Sequence, residues 1–483
     1  MWAWWASGRR LLDLRRSGWR WAGGALVLAV LCAAAYGQAA ALGFTYDDED
    51  YLNNARRAHA DPRLLVRPAI PGPWASRVGV HLYMYLLWPL FGARPAPYHL
   101  ASVALHWANA ILLWLLAARS LGRPSVGFAA AVWFVVSPAP YRAVLWISAV
   151  SLVLGMTLLL AAVLAGQAYG ARGGWWRLGA AGALFAGSPL LHQAYAAAAV
   201  VPAALVGARA PRAGASRRAA LLAACVAPAA AVVLLERWLY QGAYTGQDTY
   251  RLWGVHVPVN LAGYLGGLLA SPWGQALGAT GRPPVTMALG AAGAVAVALA
   301  SRSRPLRPWT LWVLAGILPF AFWRRPQLFA RYFYAASPGG CVLLAAAVGA
   351  AAESLERRTR APVARVALAC GVCLVAAIGI CQVRRLHAVQ LYDEGKYLLF
   401  ARREPQRAIG RLEAALRRDP TVPDKVRLWL AWAWHESGED AAARAVLEEL
   451  LRRTPGHEQA QALLGSLAAA PAADQGDGSR WEP

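Results

Sequence analysis

The sequence predicts an all-α protein in two parts: a polytopic membrane helical bundle of about eleven crossings, then a small domain of helical repeats. Three observations predict it. The 483 residues are 58% apolar, with a mean hydropathy of +0.36. Apolar runs of roughly 17 to 25 residues recur along the chain, the length a helix needs to cross a bilayer. Inside hydrocarbon such a run satisfies its backbone as a helix, and the Ala-, Leu- and Gly-rich texture lacks the alternation of a membrane barrel. After Arg385 the texture changes to charged segments with apolar residues at i, i+3 and i+4.

In order, residues 1–20 form a cytoplasmic N-terminus carrying Arg9, Arg10, Arg15, Arg16 and Arg20. The apolar run from Trp21, with small residues near Ala35, has the form of a cleaved signal peptide or an uncleaved anchor; its continuation to Phe44 favours the anchor. Crossings are expected near 21–43, 98–118, 126–143, 145–168, 176–193, 195–208, 219–236, 285–300, 308–323, 332–351 and 363–382, making 21–385 the membrane domain. Two stretches, near 78–92 and 257–271, are short or broken by Pro and Gly and read as half-buried helices on the outer face. An acidic outer loop occupies 44–97.

Charge tests this topology. With the N-terminus inside, the inner segments carry twenty arginines against three acids, Asp13, Glu353 and Glu356, as positive-inside bias requires. The acidic run Asp47–Asp50 falls outside, and an odd number of crossings puts the C-terminus outside too. The net charge of +23 therefore reflects topology; nearly all of it is Arg in short loops, with Lys only at Lys396 and Lys425, and nucleic acid is not an expected partner. The six cysteines lie within or beside apolar spans, and Cys370 and Cys373 read as packing residues of a membrane helix, with no disulfide or zinc framework.

Residues 386–470 contain two blocks at a 35-residue offset: Ala408, Leu412, Ala415 and Pro420 recur as Ala443, Leu447, Leu450 and Pro455. A small residue lets paired helices approach, a large one four later fills the gap, and Pro ends the second helix. These spacings resemble tetratricopeptide repeats, at 389–420 and 424–455, with Glu458–Leu467 as a capping helix and 471–483 a disordered tail.

The chemistry-bearing residues are polar groups where a membrane protein keeps few. Tyr46-Asp47-Asp48-Glu49-Asp50-Tyr51 sets four acids beside the first span; alone, that run reads as a solvated loop. His99, Ser102, His106 and Asn109 share one face of the next crossing, and intramembrane polar groups usually face the protein interior. Pro138, Arg142 and Trp146-Ile147-Ser148 follow, and later Arg331-Tyr332-Phe333-Tyr334. Arg67, Arg142, Arg324, Arg325 and Arg331 all fall on the outer side, against the charge bias; each alone could be a snorkelling residue.

This ordered set resembles the polytopic glycosyltransferases that use polyprenyl-phosphate sugars, the GT-C class, and within it the transmembrane and tetratricopeptide-repeat O-mannosyltransferases with their bacterial relatives. The likeness runs over about residues 21–455. Tyr46-Asp47-Asp48 matches the family's aromatic and acidic pair; Tyr98, His99, His106 and Asn109 match its Tyr-His…His…Asn helix, with Ser102 where Asn is common. Pro138 with Trp146–Ser148, and Arg331, Tyr332 and Tyr334, match its later motifs. The resemblance implies transfer of a sugar from a polyprenyl-phosphate carrier, without a metal cofactor, to a protein, lipid or glycan outside the cytoplasm. Asp47 or Asp48 would be general base, because an acceptor hydroxyl needs a carboxylate to take its proton; Arg67, Arg331 or Arg142 would hold the departing phosphate. Tyr46, Glu49, Asp50, His99, His106, Asn109 and Tyr332 would support the site, and the repeats would bind a protein or peptide. Two other readings stay open: a ligase acting on a lipid diphosphate, using His256 and Arg251, and a non-enzymatic scaffold or transporter displaying the repeats. An Ala-, Arg- and Gly-heavy, Lys-poor composition points to a GC-rich bacterium, and so to an inner membrane with a periplasmic active face.

Overall fold

The computed structural model describes residues 14–66, 77–209, 214–239, 253–270, 283–323, 330–359 and 363–469. The chain is a multi-pass membrane protein built of α-helices: among the described residues there are nineteen, and six helical segments are long and apolar enough to cross a bilayer. It divides into two units, Met1–Leu386 and His387–Pro483.

In the first unit α1 (Leu14–Tyr36) leads to the short helices α2 (Asp47–Ala58) and α3 (Val78–Phe91). Then come α4 (Pro95–Leu121), α5 (Pro124–Val136), α6 (Tyr141–Leu145), α7 (Val150–Arg172), α8 (Trp175–Leu191), α9 (Val201–Arg209), α10 (Ala215–Leu239), α11 (His256–Ala270), α12 (Pro283–Ser301), α13 (Arg307–Ala321), α14 (Phe333–Thr359) and α15 (Val363–Phe400). Pro95 and Pro124 open α4 and α5 at positions where a missing N–H costs nothing. Gly122, at φ +66°, closes α4 in the left-handed conformation.

The expected crossing over 126–143 is interrupted. Ser137-Pro138-Ala139-Pro140 pushes Ser137 into an extended conformation, at ψ 124°, and α5 ends at Val136. The chain then makes the five-residue α6 and a 3-10 turn, Ile147–Ala149, before α7 begins. The result is an irregular segment, 137–149, that carries Arg142, Trp146 and Ser148.

Small residues let the helices approach closely. A Cβ on Gly127 would stand 2.8 Å from the Ala118 amide of α4, and one on Gly316 would stand 2.6 Å from the Ala336 Cα of α14, so α4/α5 and α13/α14 meet backbone to backbone. Helix α2 is tied down by a buried cluster of Tyr51, Leu52 and Ala55 with Val80 and Met84 of α3, Tyr98 of α4, and Ile147 and Val150.

The second unit contains the end of α15, α16 (Pro405–Arg418), α17 (Lys425–Glu436), α18 (Asp440–Arg453) and α19 (Glu458–Ala469). The repeat positions are its core: Ala408, Leu412, Ala415, Ala443, Leu447 and Leu450 are all fully buried. Leu428, Ala431, Ala460 and Leu467 close the second repeat against α19. The first repeat has no separate first helix; α15 runs unbroken from Val363 to Phe400 and supplies it.

Candidate functional site

The acidic run forms the first turn of α2, where Asp47, Asp48, Glu49 and Asp50 face the positive end of the helix dipole. Tyr46 precedes it at φ 43°, one of two non-glycine residues with positive φ among those described. Such a conformation costs about 1–3 kcal/mol and persists where its surroundings fix it. Here the turn brings Thr45 back over the helix start, so that its N–H donates to Asp48 Oδ2 at 2.9 Å and its hydroxyl at 3.3 Å. The other oxygen, Oδ1, accepts the Ser148 N–H at 2.8 Å and the Ser148 hydroxyl.

Asp48 is therefore completely buried, with both oxygens saturated by protein donors. Its pKa rises to about 7: loss of hydration is the larger influence, hydrogen bonds from the Ser148 hydroxyl and from the Thr45 and Ser148 N–H groups oppose it, and Asp47 adds a push in the same direction as burial. Its neighbours differ. Asp47 and Glu49 are half-buried, while Tyr46 and Asp50 are exposed. Partial burial, then the charges of Asp47 and Glu49, raise the Asp50 pKa. Asp47 lies one turn before Tyr51, hence on the same side of α2, and Tyr51 is hydrogen-bonded to the Arg77 guanidinium.

Arg77 opens onto a recess lined also by Trp146, Ser148, Ala149, Ser151, Leu152, His192 and Arg331. Arg331 stands 4.7 Å from the Trp146 ring centroid and 4.8 Å from that of Tyr332, and donates to the Tyr332 hydroxyl at 3.2 Å. Tyr332 is stacked on Phe320 at 4.2 Å, which fixes that support. His192 Nδ1 accepts the Ala194 N–H at 3.3 Å, so the ring proton belongs on Nε2. The Trp146 Nε1 and Ser151 Oγ atoms are buried without a hydrogen-bond partner. The lining thus offers two guanidiniums, hydroxyls, ring N–H groups and the first turn of α7, and no carboxylate. Such a donor set suits an anion with several oxygens. Ser148 joins the two halves: it lines the recess and holds Asp48 with both its donors.

The expected residues separate into groups. Asp48 and Arg331 belong to this assembly, and Tyr332 supports Arg331. Arg142 stands 5.6 Å from the Trp146 ring, beside the recess and not in its lining. Arg67, Arg251, Arg324 and Arg325 lie outside the described residues. His256 opens α11 and takes no part in the recess lining.

The histidine helix does something else. His99 Nε2 lies 3.4 Å from the Gly43 carbonyl. His106 Nε2 faces the Val135 carbonyl at 3.4 Å and so donates, leaving Nδ1 to accept the Tyr334 hydroxyl at 2.9 Å. Asn109 donates to the same hydroxyl at 3.0 Å and to the Val153 carbonyl at 2.8 Å. All three are buried. His106 and Asn109 fix Tyr334, at the start of α14 and three residues after Arg331.

Arg77, His192 and Ser151 were not among the expected residues. Arg77 carried the signal used for the others, an arginine in a segment that the expected topology puts outside, against the charge bias. His192 is a lone histidine ending an apolar run, and nothing in its spacing ties it to Arg331. Among the described residues, no group of three or more His, Cys, Asp or Glu is placed to hold a metal ion.

Residues 399–467 match the tetratricopeptide repeat family. No curated protein sequence matches the chain. Two solved structures are similar in fold at low identity. One is the Archaeoglobus fulgidus oligosaccharyltransferase tethered with an acceptor peptide containing the NVT sequon, at 12% identity and a TM-score of 0.43 over 79% of this chain. The other is ArnT from Cupriavidus metallidurans bound to undecaprenyl phosphate, at 15% identity and a TM-score of 0.42, over 89% of this chain and 80% of that one. The chain spans 57% of the oligosaccharyltransferase's length.

Proposed function

We propose that the protein is a membrane glycosyltransferase of the GT-C kind. It moves one sugar from a polyprenyl-phosphate donor to a hydroxyl acceptor outside the cytoplasm; mannose is the sugar the sequence resemblance implies. One observation carries this reading: an acidic helix start and a donor-only recess are joined through a single residue, Ser148.

The two aspartates take different roles. Asp48 has no free lone pair directed outward, so it acts as a positioning residue that locks α2 to the 137–149 segment. Asp47 is the general base: it is accessible, and it lies on the helix side that carries Tyr51 and, through it, Arg77. The acceptor hydroxyl gives its proton to Asp47 as its oxygen attacks the anomeric carbon. The bond from that carbon to the phosphate oxygen breaks, and the bonding pair stays with the phosphate. Arg77 and Arg331 meet the charge that develops there. The recess is small, and its two guanidiniums, with Arg331 over the Trp146 indole, mark where the phosphate enters. The lipid tail stays in the bilayer among the helices. The N-terminus is cytoplasmic, the site and the repeats are periplasmic, and the repeats bind a peptide, either acceptor or partner.

Sugar release from polyprenyl-phosphate hexoses, measured on the full chain in lipid nanodiscs, tests this. Asp47→Asn is expected to lower release by about 10²–10⁴-fold, the usual contribution of a general base. Arg77→Ala and Arg331→Ala are expected to weaken donor use at an unchanged thermal midpoint. Full release in Asp47→Asn would remove the base assignment, and no release by wild type from any donor would favour a scaffold.

A further inference from the structure

The chain has 48 basic residues and only two lysines, Lys396 and Lys425. Both stand on one surface of the second unit. Tyr392, Lys396 and Phe400 follow one another at i, i+4 and i+8 along α15; Lys425, Trp429 and Trp432 do so at i, i+4 and i+7 along α17. The two stripes meet. Tyr392 and Trp429 are stacked at 4.7 Å and 12°, and Phe400 packs its edge on Trp429 at 5.8 Å and lies 6.0 Å from Trp432. Lys396 Nζ is 4.8 Å from the Trp429 centroid, and Lys425 Nζ is 5.9 Å from those of both Tyr392 and Trp429.

The arginines of this unit are used differently. Arg402 and Arg407 pair with Glu404, Arg411 with the buried Glu394, Arg417 with Glu413, and Arg427 with Asp424 and Glu449. Asp424, adjacent to Lys425, also accepts the Thr454 hydroxyl, and Glu436 accepts the Trp432 indole N–H. Among the described residues, no carboxylate pairs with either lysine. Five arginines of the unit are thus held by carboxylates, whereas the two lysines stand against aromatic rings. Each stands near a ring, and Lys425 is exposed and Lys396 half-exposed.

We infer that this surface binds an extended peptide through an acidic side chain, which the two ammonium groups clasp over Trp429 while an adjoining apolar side chain rests on Phe400 and Trp432. Charge complementarity selects the occupant. The surface offers cations without counterions, and a carboxylate supplies both the opposite charge and acceptors for two ammonium groups. Aromatic side chains add a rigid contact area of the kind that anchors interfaces. The inference rests on the reading of the repeats as a peptide-binding unit and stands whether or not the membrane unit transfers sugar.

Fluorescence anisotropy with a labelled eight-residue peptide alternating Glu and Leu tests it on the full chain in nanodiscs of neutral lipid. The same peptide with Gln for Glu is expected to bind at least tenfold more weakly, and so is the Glu peptide to the Lys396→Gln/Lys425→Gln double variant. The Lys396→Arg/Lys425→Arg variant should keep most of the affinity, since cations are retained. The thermal midpoint of the double Gln variant reports whether the unit stays folded, which the exposure of Lys425 and half-exposure of Lys396 favour. Equal binding of Glu and Gln peptides, or of wild type and a folded double Gln variant, would overturn the proposal. So would absence of peptide binding together with lysine-dependent capture of vesicles rich in phosphatidylglycerol.

Discussion

The Asp48 carboxyl gives up its hydration and regains four hydrogen bonds, and the balance holds its pKa near 7 in place of 3.8. The folded protein then binds a proton that the unfolded chain has released between those two values. The contribution to stability is complete below about pH 4 and is lost as pH rises through 7, because ionisation in the buried site is disfavoured. Thermal midpoints of wild type should fall between pH 5 and pH 8, with part of that slope belonging to Asp48. Asp48→Asn should flatten it. The same change should lower the midpoint at every pH, since an amide cannot accept the Thr45 and Ser148 N–H groups on separate oxygens, and an orphaned donor costs roughly 1–3 kcal/mol. Identical slopes in the two proteins would contradict the assignment. Tyr334 offers a second case. Tyr334→Phe leaves His106 Nδ1 without its donor but keeps the Asn109 bond to Val153. Its loss should appear as a lower midpoint and a raised KM for donor, through a displaced Arg331, with kcat nearly kept; a kcat effect alone would place Tyr334 in the chemistry itself.

At the scale of elements, what could be read early was whatever depended on local pattern. The crossings gave their helices through run length, the repeats through the 35-residue offset of Ala408 and Ala443, and the acidic helix start through its own composition. What could not be read depended on which elements meet. Nothing local says that Ser148 would reach Asp48 across a hundred residues, or that His192 would share a recess with Arg331. The Tyr98–Asn109 pattern was visible as a polar face, yet its task could not be told from spacing, because a hydrogen bond to Tyr334 spans more than two hundred residues. The α5 break sits between these cases: Pro138 and Pro140 announce it, but a membrane crossing tolerates Pro when neighbouring helices satisfy the freed backbone. Here the break is kept because 137–149 forms one wall of the recess.

For the membrane unit as a whole, side-chain contacts test the charge-based topology in a way hydropathy does not. Arg123, which precedes α5, is paired with Glu353 near the end of α14. The twenty-arginine count places both on the inner side, in loops far apart in sequence. Asp48, Ser148 and Arg331, all assigned outside, gather in the same way. The two groups are separated by the length of α14, which runs from just after Arg331 to beyond Glu353. Arg123 and Glu353 thus meet, and Arg331 and Glu353 stand near opposite ends of a helix long enough to cross. A periplasm-active reporter fused after residue 123 or residue 353 should therefore be silent, and one inserted at residue 60 active. A fusion after residue 455 should be active as well on the eleven crossings expected from the sequence. Activity at 123 together with silence at 60 would invert the bundle and put the proposed active site on the cytoplasmic face. Silence at 455 alone would leave that site in place and change only the parity of the crossings after Arg331.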